Sequence, residues 1–138
     1  MIDNFDGEYA FLSNFYESPM TIQGITYPTN EHFFQAMKTL DPSERKKIAS
    51  AQTPGRAKRL GRQVKLRWDW ESVKEDAMLT GLRYKFSNPD LKEKLLATGD
   101  EELVEGNWWG DQYWGVCDGI GKNKLGKLLM KVREELAN

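Results

Sequence analysis

The clearest pattern along the chain is an apolar stripe with helical spacing near its end. Between residues 123 and 136, large apolar side chains recur every three or four positions: Leu125, Leu128, Leu129, Val132 and Leu136. This spacing is typical of an amphipathic helix that packs one face on a core. It predicts a helix from Asn123 to Leu136 whose leucine face is buried.

Capping residues and prolines predict further helices earlier in the chain. Thr29 or Asn30 is suited to begin a helix that runs to about Leu40, and Pro42 is suited to the first turn of another. Two further helices are predicted over 69–87 and 90–98. The first is expected to stop near Asn88-Pro89, and Gly99 is suited to end the second. Pro54 and Gly55 indicate an interruption before the following basic segment.

The remaining patterns favour short extended segments. Residues 9–28 are rich in Phe, Tyr, Ile and Thr, with a turn at 23–24, and 102–105 resembles a small strand. The fold class expected is therefore a helix-rich α+β fold with a few short N-terminal and central strands. At 138 residues, 39% of them hydrophobic, the chain is expected to form one domain over 1–138.

Composition narrows the function. The net charge of −1 gives no overall attraction to nucleic acid or membranes, and one cysteine and one histidine exclude a disulfide and a multi-cysteine or multi-histidine metal site. We expect no metal and no cofactor. No secretory signal and no transmembrane run is visible, so a cytoplasmic protein without membrane contact is expected. Oligomeric state cannot be inferred from the sequence.

Charge is uneven along the chain. Nine basic residues and no acidic one lie between Arg45 and Arg67. Such a segment suits a phosphate-bearing ligand, with Arg56 and Arg62 as the best candidates, although a solvated helical face is the favoured explanation for most of these side chains.

The stretch from Tyr113 to Gly126 combines aromatic, glycine and polar residues just before the last predicted helix. Glycines let the backbone approach a ligand, and tryptophan offers a flat face for a base or sugar. Asp118 and Asn123 add hydrogen-bonding groups, although Asn123 is also a good helix cap. The stretch predicts a pocket for a planar, polar ligand such as a nucleotide.

Another candidate lies in the helix predicted after Thr29. Glu31, Gln35 and Lys38 share one face at about 100° per residue. A carboxylate, an amide and an amine placed together can be catalytic, but spacing alone favours an exposed polar face with a weak ion pair. His32 is interpreted as a packing or hydrogen-bonding residue.

The chain resembles the NADAR family in blocks that stand in the family's order over nearly its whole length. The opening blocks are 11–16 and 27–38, and later ones include Gly61-Arg62, Trp68 to Glu71, Met78 with Lys85-Phe86, 95–100, 113–115 and 121–126. The resemblance implies an N-glycosidase that acts on phosphoribosyl or ADP-ribosyl compounds. Two small-molecule or nucleic-acid substrate classes remain open: riboflavin-biosynthesis intermediates, and ADP-ribosylated guanine in nucleic acid.

The resemblance also implies roles for individual residues. Cleavage of a ribosyl C–N bond develops positive charge at the anomeric carbon, and the departing base needs a proton. A neutral lysine amine can instead attack that carbon and form an imine. We assign Lys38 as the covalent nucleophile and Glu31 as the proton shuttle, with Gln35 orienting the sugar.

Further residues are assigned to substrate binding in the same way: Ser13, Asn14, Arg56, Arg62, Trp70, Trp114, Gly115, Asp118 and Asn123. Core packing is the rival explanation for Trp70, and a structural turn is the rival for Ser13 and Asn14. Two alternatives to the enzyme remain open: a non-catalytic ADP-ribose or nucleotide-binding module, and a nucleic-acid-binding domain that uses the basic segment.

Overall fold

The computed structural model describes residues 1–138 and has a helix-rich α+β architecture, as predicted. A 3-10 helix over Gly7–Leu12 precedes the only sheet, an antiparallel pair of strands. The elements in chain order are β1 (Glu17–Ile22), β2 (Ile25–Thr29), α1 (Asn30–Ala36), α2 (Pro42–Ala49), α3 (Pro54–Gly61), α4 (Trp70–Lys85), α5 (Pro89–Ala97) and α6 (Lys124–Ala137).

Residue contacts divide the chain into two compact units. Residues 14–85 form the α1 unit, which contains the hairpin and helices α1 to α4. Residues 1–13 together with 86–138 form the α6 unit, which contains the 3-10 helix, α5 and α6.

The α1 unit is organised around a short buried helix. All seven residues of α1 are buried, and α1 contacts β2, α2, α3 and α4. A helix that is enclosed on every side buries its polar residues with its apolar ones, so those polar groups need partners within the fold. The apolar core of this unit comprises Met20, Tyr27, Phe33, Ala36, Ile48, Ala49 and Ala57.

The hairpin that precedes α1 turns at the predicted place. Gln23 and Gly24 both have positive φ, at 52° and 79°, and connect Ile22 directly to its partner Ile25. Two left-handed residues in a two-residue loop match the twist of antiparallel strands. The tight turn brings β2 back along β1 and leads directly into the N-terminus of α1.

The α6 unit uses the leucine stripe recognised in the sequence. Leu125, Leu129 and Val132 of α6 are buried, and α6 contacts α5. At the end of α5, the Arg133 Nη1 donates to Thr98 Oγ1 at 2.9 Å. The chain between these helices forms isolated bridges instead of a sheet: Ile2 with Leu103, Gly106 with Val116, and Cys117 with Ile120.

Several predicted boundaries are wrong. The segment near Tyr9 forms a 3-10 helix, the helix after Thr29 ends at Ala36 instead of near Leu40, and Pro54 begins α3. Leu40 is consequently 55% exposed. The central strand is reduced to single bridges. The predicted helices over 69–87, 90–98 and 123–136 are confirmed within two residues at each end.

Candidate functional site

Helix α1 begins at a cap that also fixes the histidine. Thr29 Oγ1 accepts a hydrogen bond from the backbone N–H of His32 at 3.2 Å and lies 2.8 Å from His32 Nδ1. The other ring nitrogen, Nε2, lies 2.9 Å from the carbonyl oxygen of Ala51. Because a carbonyl only accepts, Nε2 carries the proton and Nδ1 accepts from the Thr29 hydroxyl. Burial lowers the pKa of His32, which suits this neutral structural role.

Glu31 and Gln35 form a hydrogen-bonded pair on one face of α1. Both are buried, and Gln35 Nε2 donates to Glu31 Oε2 at 2.6 Å. Four residues of spacing place them one turn apart on one face, as the sequence predicted. That face is buried, so the exposed polar face that spacing alone favoured is wrong. A carboxylate held by a buried amide has a fixed position, which a catalytic group needs.

The other amide atom of Gln35 lies against a glycine. Its Oε1 has no hydrogen-bond partner, and a Cβ added at Gly61 of α3 would collide with that oxygen. Only a residue without a side chain lets α3 approach α1 this closely. Gln35 is therefore locked by Glu31 on one side and by Gly61 on the other.

Lys38 follows α1 in a tight turn, with its backbone N–H donating to the carbonyl of Gln35 at 3.2 Å. Its side chain is partly buried. Burial lowers the pKa of Lys38, the Glu31 carboxylate opposes this shift, and the positive charges of Arg62 and Lys58 add to it. The net effect enlarges the neutral, nucleophilic fraction of the amine relative to an ordinary lysine.

The basic segment places two cations close enough to influence Lys38. Lys58 is partly buried and Arg62 is exposed, and both belong to the end of α3. Arg56 is exposed in the first turn of the same helix, where its backbone N–H bonds to the Thr53 cap. Arg62 therefore lies in the electrostatic neighbourhood of Lys38, whereas Arg56 does not act on the pKa of Lys38.

Asn14 belongs to a buried polar cluster beneath α1. Its carbonyl accepts from the Glu31 backbone at 3.0 Å, its Oδ1 accepts from Asn30 Nδ2 at 2.8 Å, and its Nδ2 lies 3.4 Å from the Met78 sulfur. Asn30 Oδ1 packs against Gly81 of α4, where an added Cβ would collide with it. Asn14 thus holds the first turn of α1, and with it Glu31, in place.

Trp70 lies in the core of the α1 unit. It is 8% exposed, and its ring centroid is 5.2 Å from that of Phe34 at a tilted angle. This packing fits the rival explanation given for Trp70 from the sequence.

The remaining predicted binding residues belong to the α6 unit. Ser13 ends the 3-10 helix, Trp114 packs edge-on against Tyr113 at 5.0 Å, and Asp118 is exposed in a turn at φ 54°. Gly115 is buried where a Cβ would collide with Glu105. The other predicted site residues all belong to the α1 unit: Asn14, Glu31, Gln35, Lys38, Arg56, Arg62 and Trp70.

Asn123 does not cap α6 with its side chain, contrary to one of its two predicted roles. Its Oδ1 accepts from the Glu105 backbone at 3.0 Å, and its Nδ2 donates to the Leu103 carbonyl at 2.9 Å. Asn123 itself has φ 52°, a left-handed conformation that asparagine tolerates. It joins the start of α6 to the segment at 103–105.

Sequence reasoning missed Asn30, Gly61, Gly81 and Lys85 as parts of this arrangement. Lys85 is only 1% exposed, and burial lowers its pKa to about 7. Its spacing from Met78 and Leu82, at seven and three residues, already placed it on the buried face of α4. The glycines left no such signal, because their close neighbours are distant in sequence.

No group of three or more His, Cys, Asp or Glu residues is arranged to hold a metal ion. No helix combines the length and apolar character needed to cross a membrane. A depression of about 640 Å³ in the α6 unit is lined by Val104, Trp108 and Val116 among others, and by none of the predicted binding residues.

Comparison with known proteins gives consistent matches over the whole chain. The model of the NADAR domain family matches residues 3–137. The chain is 46% identical to the N-glycosidase YbiA of Escherichia coli over 134 residues, covering 94% of this chain and 83% of that protein. It is 42% identical to the N-glycosidase Npun_R5314 of Nostoc punctiforme, covering 94% and 87%.

Two further matches extend the comparison. The riboflavin biosynthesis protein VVA0006 of Vibrio vulnificus is 41% identical over 135 residues, which cover 95% of this chain and 36% of that longer protein. The NMR structure of E. coli YbiA superposes with a TM-score of 0.86 at 45% identity, covering 99% of this chain and 85% of the other.

Proposed function

The chain belongs to the NADAR domain family and is an N-glycosidase, and from this premise we propose that it cleaves ribosyl–base bonds by means of Lys38 and Glu31. The observation that carries the proposal is the buried Glu31–Gln35 pair beside an amine of lowered pKa. This combination supplies a proton acceptor in a fixed position and a nucleophile that is more readily deprotonated than an ordinary lysine.

The chemistry proceeds in two stages. The lone pair of the neutral Lys38 amine forms a bond to the anomeric carbon while the bond from that carbon to the base nitrogen breaks. The Glu31 carboxylate takes the proton that the attacking nitrogen loses and gives it to the departing base. Opening of the ribose ring leaves an imine between sugar and lysine, and water then hydrolyses the imine, releasing the sugar and restoring the amine.

Gln35 and Asn14 act in this proposal by positioning Glu31. Gln35 donates to the carboxylate, and Asn14 accepts from the Glu31 backbone. Gln35 also remains our candidate for orienting the sugar.

The substrate class follows from charge and from the relatives' names. Arg62, whose positive charge acts on Lys38, is proposed to bind a substrate phosphate. Arg56, in the first turn of α3, is proposed as a second phosphate contact. Relatives named for riboflavin biosynthesis favour a phosphoribosyl compound as the substrate. An ADP-ribosylated nucleic acid is the second substrate class, because the nine cations of the basic segment suit a polyanionic ligand.

The remaining binding candidates are Trp70 and the residues of the α6 unit: Ser13, Trp114, Gly115, Asp118 and Asn123. We also propose that residues 1–138 act as one domain, since the family model matches 3–137 without interruption. A cytoplasmic location is part of the proposal, and cell fractionation tests it.

The test is a paired incubation with a phosphoribosylated riboflavin precursor and with ADP-ribosylated guanine DNA, followed by mass spectrometry of the released base. Borohydride is added to trap an imine. Wild type is expected to release base from one substrate and to show a trapped adduct on Lys38. Lys38→Met and Glu31→Gln are each expected to lose at least about 100-fold in turnover.

Lys92→Met is the matched control, because Lys92 is an exposed lysine on α5. It is expected to keep wild-type turnover. Turnover in Lys38→Met within a few-fold of wild type would remove Lys38 from the mechanism. Binding of ADP-ribose without release from either substrate would favour the non-catalytic binding module.

A further inference from the structure

Trp68 stands out because it is 90% exposed, and the neighbouring Leu66 is 54% exposed. Tryptophan is the largest side chain and ordinarily contributes a large area to cores and interfaces. Trp70, two residues later, follows that rule at 8% exposure. An aromatic face left in water at this position is therefore available to a ligand.

The backbone around Trp68 is fixed on both sides. Arg67 donates from Nε and Nη2 to the two carboxylate oxygens of Asp69, at 2.6 and 3.2 Å. Directly afterwards, Trp70 begins α4 and packs on Phe34. A residue held between two such anchors is presented to solvent by a defined loop, and a ligand that binds it does not have to order that loop first.

Arg67, one of these two anchors, also connects the loop to Lys38, the proposed nucleophile. The Arg67 backbone N–H donates to the carbonyl oxygen of Lys38 at 2.7 Å. Standard covalent dimensions then place the Cα of Trp68 within about 10 Å of the Cα of Lys38. Both side chains are long enough to contact one ligand of nucleotide size.

Charge in the same neighbourhood favours a phosphate-bearing ligand with a flat group. Lys58 and Arg62 act electrostatically on Lys38, and Lys65 lies three residues before Trp68. Cations bind the phosphate, and an indole face stacks on a nucleobase with little preference among the bases. An apolar protein partner would match the exposed rings but would leave these charges without counterparts.

We propose that Trp68 stacks on the nucleobase of the substrate and thereby strengthens the binding of a base-bearing substrate over the sugar phosphate alone. This inference rests on the proposed function, because it takes Lys38 as the point at which the ribose is held. It makes Trp68 a base-binding residue and assigns it no proton or bond in the reaction.

The test separates base binding from sugar binding without requiring turnover. Guanosine 5′-monophosphate and ribose 5-phosphate are titrated by calorimetry into wild type, Trp68→Ala, Trp68→Phe and Trp108→Ala. Trp68→Ala is expected to weaken the nucleotide about 10-fold, within the range measured for base stacking, and to leave ribose 5-phosphate unchanged. Trp68→Phe retains an aromatic face and is expected to recover most of the affinity.

Trp108→Ala is the matched control, since Trp108 is 86% exposed and belongs to the α6 unit. It should bind both ligands as wild type does. Equal weakening of both ligands in Trp68→Ala, no weakening of either, or no nucleotide binding by wild type would each overturn the proposal. If wild type binds the nucleotide but hydrolyses no N-glycoside, the proposed function fails while the binding comparison still decides the role of Trp68.

Discussion

At the scale of single residues, the amine of Lys38 experiences opposing influences on its pKa. Burial and the positive charges of Arg62 and Lys58 lower the pKa, and the Glu31 carboxylate raises it. Arg62→Met removes one positive charge, so the pKa of Lys38 should rise toward its ordinary value. If the neutral amine attacks the sugar, the rise of kcat/KM with pH should then shift to higher pH.

The chain offers a control for this prediction in the same helix. Arg59 is also exposed on α3 but is not among the charges that influence Lys38. Arg59→Met should leave the pH profile in place. The Lys38 side-chain chemical shift, followed by NMR across pH, reports the same pKa without turnover. A Lys38 pKa that stays fixed in Arg62→Met would refute the electrostatic assignment.

At the scale of elements, the approach of α3 to α1 depends on Gly61. A side chain there would collide with the Gln35 amide, which must then leave its position beside Glu31. Gly61→Ala should therefore destabilise the protein by roughly 1–3 kcal/mol, the usual cost of overpacking, and should also reduce turnover. Urea denaturation and kcat measure the two effects.

Gly55 gives the comparison within α3. A Cβ at Gly55 would meet only the Thr53 hydroxyl at 3.9 Å, an ordinary contact. Gly55→Ala should be neutral or should stabilise the helix by up to about 1 kcal/mol, because alanine has the higher helix propensity. Equal effects of the two substitutions would show that helix propensity alone decides the result at Gly61, and that the packing of α3 on Gln35 does not require a glycine.

Prediction from sequence succeeded for elements whose signal is local. The leucine stripe identified α6, and the Asn88-Pro89 boundary separated α4 from α5. The spacing of Glu31 and Gln35 likewise placed them on one face of a helix, although spacing alone favoured an exposed face and both residues are buried. In each case the informative residues lie within about one turn of each other, where chain geometry alone decides.

The misplaced end of α1 has a non-local cause. The Lys38 carbonyl accepts from the backbone of Arg67, and the Thr39 carbonyl accepts from Arg45 Nε at 2.9 Å. These partners satisfy carbonyl groups at the end of the helix, so the chain can turn away before Leu40. The donors lie 29 positions after Lys38 and 6 positions after Thr39, and no periodic pattern around α1 predicts these contacts.

At the scale of the whole molecule, the buried Lys85 links stability to pH. Burial lowers the pKa of Lys85 from 10.5 to about 7. Between these values the unfolded chain holds a proton that the folded protein lacks, so this lysine makes stability rise with pH. The slope is at most about 1.4 kcal/mol per pH unit, and it disappears below pH 7, where both states are protonated.

Lys85→Met keeps an unbranched apolar side chain in this site and removes the titrating amine. The variant loses packing, including the contact of Lys85 Nζ with the Tyr16 ring, whose centroid is 5.8 Å away, so the slope is more informative than the absolute stability. Urea denaturation at pH 7, 8 and 9 should show wild type gaining stability relative to Lys85→Met at each step. Lys92→Met controls for the loss of one lysine, because that side chain is exposed. Parallel curves for wild type and Lys85→Met would mean that Lys85 is charged in the folded protein at pH 9, and that its burial is balanced by a partner that holds the proton.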